Sequence, residues 1–328
     1  MTKDLVRRKN ETVLHPFWVM VQKEVADHIR SWRFVILLLL MVLTCAGSLY
    51  TASMTIRDAV PSSNGDLPSH IFLKLFTVSD NTLPSFITFV AFLGPLLGIG
   101  LGFDAINSER NRGTLSRVMS QPIHRDYLIN AKFTASLLVI SFIFFGLGFL
   151  VMGMGIIATG IPPTPEEFWR VIFFMLLSIV YVAFWLNLAI FLSIRFRQAA
   201  TSALTGIAIW IFFSIFYSML VEMVGKALLP EASANNEQVL SYYRFMQFLL
   251  RLSPNQLFSE ATTTLLSPEV RSLGPLTMKQ VYGTIPSLLP LDQSLLLIWP
   301  LVTGLVAATT LCFGISYLLF MRQEIRGR

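Results

Sequence analysis

Residues 171–194 read VIFFMLLSIVYVAFWLNLAIFLSI. The run carries no charged side chain, and it exceeds the ~20 apolar residues that an α-helix needs to cross a bilayer core. Five more such runs flank it: Phe34–Ser53, Pro84–Phe103 and Phe133–Thr159 before, Ala199–Val224 and Leu295–Phe320 after. The third and fifth are long enough to tilt or to extend beyond the membrane. Six runs of this kind predict an all-α integral membrane protein with six transmembrane helices. Composition agrees. Of the 328 residues, 54% are hydrophobic and 13% charged, about half the usual charged share of a soluble domain. Mean hydropathy is +0.64. A soluble fold of this length could not bury so much apolar surface, so lipid must be part of its solvent. The first run lies behind a long polar leader and is too long for a signal-peptide core, so it reads as a true span.

The net charge is +6, yet the basic residues flank apolar spans and read as topology signals, not as a nucleic-acid surface. The leader (Lys3, Arg7, Arg8, Lys9, Lys23, Arg30, Arg33) and the loop after span two (Arg110, Arg112, Arg117, Arg125, Lys132) share one side of the membrane. So do the loop after span four (Arg195, Arg197) and the tail (Arg322, Arg326, Arg328). Together they hold roughly two thirds of all Lys and Arg, which places both termini in the cytoplasm of a cell whose plasma membrane, expected to be bacterial, holds the chain. Cys45 and Cys312 lie inside apolar spans. They are read as small buried hydrophobes, and two Cys cannot form a tetrahedral thiolate metal site.

The chain reads as one domain, 1–328, with three special segments. Residues 17–33 carry Trp18, Val21, Val25, Ile29 and Trp32 at helical spacing, with Lys23, Asp27 and Arg30 opposite. This is expected to be an amphipathic helix on the inner leaflet, or a cytosolic helix packed on a partner. Residues 225–294 form a long outer segment with amphipathic stretches at Tyr242–Leu252 and Asn255–Leu266. It is too small and apolar for an independent domain, and is expected to lie across the outer surface or cap the outer mouth. Residues 104–126, DAINSERNRGTLSRVMSQPIHRD, are charged and cytoplasmic. The helical phase of span two continues into them until Gly113-Thr114 breaks it. Leu115, Val118 and Met119 then form a small apolar face at i, i+3 and i+4, and Pro122 ends the piece. The expected result is a short helix between two spans whose apolar face needs a partner. Glu109 is expected to cap the bend or to pair with Arg110 or Arg112.

Glu109-Arg110, Gly113-Thr114-Leu115, Gln121-Pro122-Ile123 with Arg125, and Ala131-Lys132-Phe133 resemble the cytoplasmic signature of the ABC type-2 permeases. The likeness is closest to the subgroup that contains the permease of the nitrous-oxide reductase maturation transporter. The leader helix, six spans and outer segment between spans five and six are similar to the family plan, so the resemblance covers nearly the whole chain, although its specific motif spans only the loop. Ala131 departs mildly, since the family often has Gly there. The resemblance implies an exporter permease without an ATPase site of its own. It implies two copies of a separate ATPase, which would bind the ATP and Mg, and a second permease copy or a related permease. It also implies that Glu109, Arg110, Arg112, Gly113, Thr114, Leu115, Val118, Met119 and Pro122 contact that ATPase. A solvated charged loop is the plainer reading of the same residues.

Within the membrane, Gly94, Gly98 and Gly102 repeat every fourth residue in span two. Such a face allows close backbone approach, either as a sliding or dimer interface along the translocation path or as packing within one subunit. Pro95 and Pro300 can kink spans two and six. Asn187, in mid-span, is expected to bond a neighbouring helix or to contact substrate. Asp104, Arg170 and Glu222 are expected to reach the interface. The scarcity of ionisable groups in the spans argues against a proton-coupled carrier. No Gly-x-x-x-x-Gly-Lys-Ser/Thr, His-Glu-x-x-His or Gly-x-Ser-x-Gly occurs. Two function classes stay open: an ATP-driven permease, and an ATP-independent channel or secondary carrier.

Overall fold

A computed structural model describes residues 15–59, 71–78, 83–115, 120, 124–160, 162–228, 236–268 and 289–322. Val118, Met119 and Pro122 lie outside the described residues. Among the described residues there is no strand, and six helices are long and apolar enough to cross a membrane. The elements are α1 Pro16–Ile29, α2 Trp32–Ala59, α3 Ile71–Thr77, α4 Phe86–Gly102, α5 Asn107–Asn111, α6 Arg125–Thr159 and α7 Pro165–Arg195. Then follow α8 Ala199–Ile211, a π-helical turn Phe212–Phe216, α9 Tyr217–Ala227, α10 Asn236–Leu250, α11 Pro254–Leu266 and α12 Leu291–Arg322. Spans one to four are α2, α4, α6 and α7, span five runs from α8 through α9, and span six is α12. The α1–α5 corner defines an elbow end of the bundle, and α3, α10 and α11 lie at the opposite, cap end.

Span four is the hub, packing against spans two, three, five and six and against α11. Its start is locally encoded. Pro165 occupies the first turn, and Thr164 and Glu167 form a capping box, the Thr164 hydroxyl accepting from the Glu167 N–H and Glu167 Oε2 from the Thr164 N–H. A helix apolar all round must be surrounded, and Phe174, Tyr181, Val182, Trp185, Leu186 and Ile190 are all buried.

The glycine stripe of span two is how the hub is approached. A Cβ on Gly98 would sit 2.7 Å from the Val182 carbonyl oxygen and 2.9 Å from the Leu186 nitrogen. One on Gly102 would lie 2.8 Å from the Leu186 oxygen, and one on Gly94 2.9 Å from Val182 Cγ2. The stripe therefore packs on span four of its own chain. Gly98→Val must push two backbones apart and is expected to destabilise the bundle by about 1–3 kcal/mol. Thermal unfolding of the purified protein measures this, with Gly146→Ala as the control, since no atom lies within 4 Å of a Cβ there. An unshifted Gly98→Val would contradict the packing.

Two buried polar clusters tie the cap end. Arg170, expected at the interface, is instead fully buried. Its guanidinium donates to Glu166 Oε1 (2.8 Å), the Leu265 carbonyl (2.6 Å), Ser294 Oγ (3.2 Å) and the Leu289 carbonyl (2.6 Å). One fork thus joins span four to the end of α11 and the start of span six, whose carbonyls need a donor where water is excluded. One residue-turn earlier, Glu167 Oε1 accepts the Phe72 N–H of α3 (3.2 Å). The second cluster is a chain of polar groups. The Tyr181 hydroxyl lies 2.9 Å from the Ala91 carbonyl and 2.7 Å from Asn255 Oδ1. Asn255 Nδ2 in turn donates to Ser214 Oγ in the π turn of span five. The Tyr181 and Phe258 rings stack at 4.2 Å. Asn187 is fully buried and donates to the Thr309 carbonyl of span six (3.3 Å), so its contact is with a neighbouring helix.

Candidate functional site at the elbow

Span two leaves the bundle through a bend at 103–106 and re-forms as the short helix α5. The bend is fixed from span four: Ser193 Oγ accepts from the Ile106 and Asn107 N–H groups (2.9 and 3.2 Å). Asn111 Nδ2 donates to the Arg197 carbonyl (3.0 Å) just past that helix. The break in helical phase thus comes before Gly113, whose own φ of +69° reverses the chain after α5; a left-handed residue there favours Gly. Thr114 Oγ1 donates back to the Glu109 carbonyl (3.2 Å). Leu115, expected to present an apolar face outward, is buried in the main core, because the elbow folds back on the spans.

Glu109 does not pair with Arg110 or Arg112. Its Oε1 accepts from Lys132 Nζ of span three at 2.8 Å, and Lys132 also donates to Glu24 Oε2 of α1 at 2.9 Å. The side chains are 6%, 11% and 15% exposed for Lys132, Glu24 and Glu109. Charged groups this deep need partners, and one ammonium here serves two carboxylates from two elements. Lys23 lies 3.0 Å from Glu24 Oε1 and 3.5 Å from Asp27. Arg33, at the foot of span one, pairs with Asp104 in the bend, and its guanidinium lies over the Phe103 ring at 5.0 Å. Arg125 donates to the Phe320 carbonyl at 2.8 Å, tying the start of span three to the end of span six. The elbow therefore touches spans one, three and four directly and α1 through Lys132.

The amphipathic stripe of α1 finds part of its cover on span three. Phe17 meets Tyr127, Val21 packs with Ala131 and Ala135, Glu24 meets Lys132 and His28 meets Ser136. The contacts advance in the same direction along both helices, so α1 runs alongside the start of span three. Trp18, Ile29 and Trp32 remain exposed.

Burial alone would raise the Glu24 carboxyl, but the charge and hydrogen bond of Lys132, with Lys23 behind, hold it below the usual carboxylate range. Burial pushes the His28 imidazole down, and the nearby Glu24 carboxylate does not offset this. Both folded-state values lie below their unfolded ones, so the released α1 binds more protons, and its docking strengthens as pH rises. The contribution of His28 is expected to be present in full above its ordinary value of 6.5 and to be lost as pH falls below it, with that of Glu24 lost below 4.5. Hydrogen exchange of the α1 amides at pH 7.5 and pH 5 should show faster opening at pH 5 after correction for intrinsic rates. Equal protection would contradict this electrostatic account.

Sequence reasoning placed Glu109 in the site but missed Glu24 as its counterpart across Lys132. The signal available was weak. Glu24 is one carboxylate in a leader with several charges, and only its proximity to the apolar stripe marked it.

The described residues thus form a bundle with six helices apolar enough to span a membrane and, at one end, a charged elbow bonded to several of them. The chain belongs to the ABC-2 family transporter proteins, whose family profile matches residues 18–325. It is similar to the probable ABC transporter permease protein NosY of Stutzerimonas stutzeri, 24% identical over 247 residues, covering 75% of this chain and 80% of that protein. The protein of the same name from Pseudomonas aeruginosa is 25% identical over 244 residues, 74% and 79% of the two chains. Family membership makes this chain the permease component of an ABC transporter, a transmembrane transport subunit whose family associates with an ATPase subunit.

Proposed function

We propose that this chain is the permease of an ATP-driven exporter in the plasma membrane, with the elbow end cytoplasmic and residues 104–126 serving as the coupling segment. Two ATPase copies and a second permease, identical or related, complete the assembly, and ATP and Mg belong to the ATPase. The observation that carries this reading is the elbow's construction. Ser193, Lys132 and Arg33 hold it to spans four, three and one, so a push on residues 108–115 is delivered to several spans at once. A solvated charged loop does not account for a buried Glu109 held by Lys132 of span three, which also holds Glu24 of α1. The glycine stripe serves packing on span four. The path is assigned to other faces of spans two and five, where Phe92, Leu204, Phe216 and Met219 are exposed.

The test is co-expression with candidate Walker-motif ATPase subunits, followed by purification in lipid and measurement of ATP hydrolysis. The complex should hydrolyse ATP at a rate that depends on the permease. Glu109→Lys and Leu115→Pro should abolish that dependence while leaving membrane insertion intact. An unaltered rate in both variants, or solute movement by the permease with no ATPase present, would favour the ATP-independent carrier instead.

A further inference from the structure

Three spans fix the depth of α11. The Tyr181 hydroxyl of span four meets Asn255 at its start, and the Tyr181 and Phe258 rings stack at 4.2 Å. At about 1.5 Å of rise per residue, Tyr181 lies about 18 Å along the helix from Trp169, an exposed tryptophan at the cap rim. The same hydroxyl meets the Ala91 carbonyl, near the middle of span two. A Cβ on Gly304, inside span six, would lie 3.7 Å from Leu257 Cδ1. The start of α11 therefore sits near the middle of a bilayer whose apolar core is ~30 Å thick. Its other end, at Leu265, meets Arg170 at the cap end.

At this depth α11 is amphipathic. Pro254, Phe258, Ala261 and Leu265 are buried. The opposite stripe, at i, i+3, i+4 and i+7, is Gln256, Ser259, Glu260 and Thr263, and Ser259 is exposed. Glu260 accepts from Arg251 Nε at 3.0 Å and from Gln247 Nε2 at 3.4 Å, both of α10, and the Arg251 side chain stays 36% exposed. The exposed residues Phe142, Leu176 and Leu311 of spans three, four and six are apolar, as a lipid-facing surface requires. A lipid tail against the α11 stripe would strip water from a half-open ion pair and from uncharged polar groups. Ionisable groups at such depth face a packed interior or a water-filled cavity, and this stripe is not packed.

We infer that the stripe of α11 lines a water-filled vestibule that enters from the cap end and reaches the middle of the membrane, with the Arg251–Glu260 pair in its wall. That this vestibule is the outer half of the transport path rests on the function proposed above; its wetness does not.

The test uses the full-length permease alone, in a Cys45→Ala, Cys312→Ala background that removes both native thiols. Gln256→Cys, Ser259→Cys and Thr263→Cys are made singly. Phe142→Cys, 83% exposed on span three, is the lipid-facing control. Lipid nanodiscs leave both membrane faces open, so neither orientation nor coupling enters the result. A charged methanethiosulfonate is added, and labelling is timed by intact mass. The three stripe thiols should react at least about tenfold faster than the control, because the reacting thiolate forms where water solvates it. Rates equal to the control would mean that the stripe is no wetter than a lipid face, whether lipid or a second copy covers it, and would overturn the inference. Fast labelling of Thr263→Cys alone would confine water to the cap surface and equally reject it. The ATP-hydrolysis assay reports on coupling separately, and neither result decides the other.

Discussion

Replacing Lys132 by Met should be the most damaging single change at the elbow end, at about 3–5 kcal/mol, because it removes one partner from a buried ionic cluster. Glu24 and Glu109 would remain, both largely buried; Glu109 would lose its ammonium and Glu24 would keep only that of Lys23. Methionine fills a similar volume, so the loss would come from the uncompensated carboxylates and not from a void. The triple variant Lys132→Met, Glu24→Gln, Glu109→Gln removes the three buried charges, leaving Lys23 paired with Asp27, and should recover most of the stability, since buried ionic groups can often be replaced at little net cost when all are removed together. The measurement is thermal unfolding of the detergent-solubilised protein together with hydrogen exchange of α1 and α5. In Lys132→Met both helices should open faster than the rest of the bundle. A melting transition equal to the wild type would show that the cluster contributes nothing and that α1 is held by Val21 and its alanine contacts alone.

Arg170→Leu should have an effect of similar size at the other end. The arginine is fully buried and serves the Leu265 and Leu289 carbonyls, Ser294 and Glu166. Leucine would leave two carbonyls and a carboxylate without their donor, at an expected cost of about 3–5 kcal/mol. Arg170→Lys should recover only part of this, because an ammonium lacks the planar fork that reaches four acceptors on three elements. Protease sensitivity of α11 gives a local readout beside the global melt. If α11 stays protected in Arg170→Leu, the cap is fastened by its apolar face, Phe258, Ala261 and Leu265, and the guanidinium is incidental.

These two residues show how charge inside a helical membrane protein divides between ends. Arg170 gathers backbone carbonyls of the cap into span four, so α11 and the start of span six move with the hub. Lys132 gathers carboxylates from the leader helix and the elbow into span three. Between them, among the described residues, the polar contacts of the spans are chiefly Asn187 to Thr309 and the Tyr181–Asn255–Ser214 chain. That chain ends at a π turn in span five, where the helical hydrogen-bond ladder is already altered and a side-chain partner from α11 stabilises the arrangement.

The number and type of spans were legible because lipid imposes a length and polarity rule on each run independently of its neighbours. The runs around Phe34, Val171 and Leu295 could be recognised one at a time, and so could the helical spacing of the leader stripe. The spacing of Gly94, Gly98 and Gly102 announced a close approach, but not to which helix, since the sequence of one helix does not name its neighbour. Arg170 was placed at the interface from its nearness to a span end. The structure buries it, because whether a terminal residue meets water depends on what covers that end.

The elbow divides the same way. Chain-local chemistry marked its location: a charged stretch after a span, Gly113-Thr114 as a break in helical phase, and a motif shared with a family. The pairing of Glu109 with Lys132 and Glu24 joins residues far apart in the chain, and only the packing of three elements brings them within hydrogen-bond reach. Hydrophobicity, a property of single segments, is written residue by residue. The partner of a buried charge is a property of the assembled bundle, so the tertiary structure alone decided it.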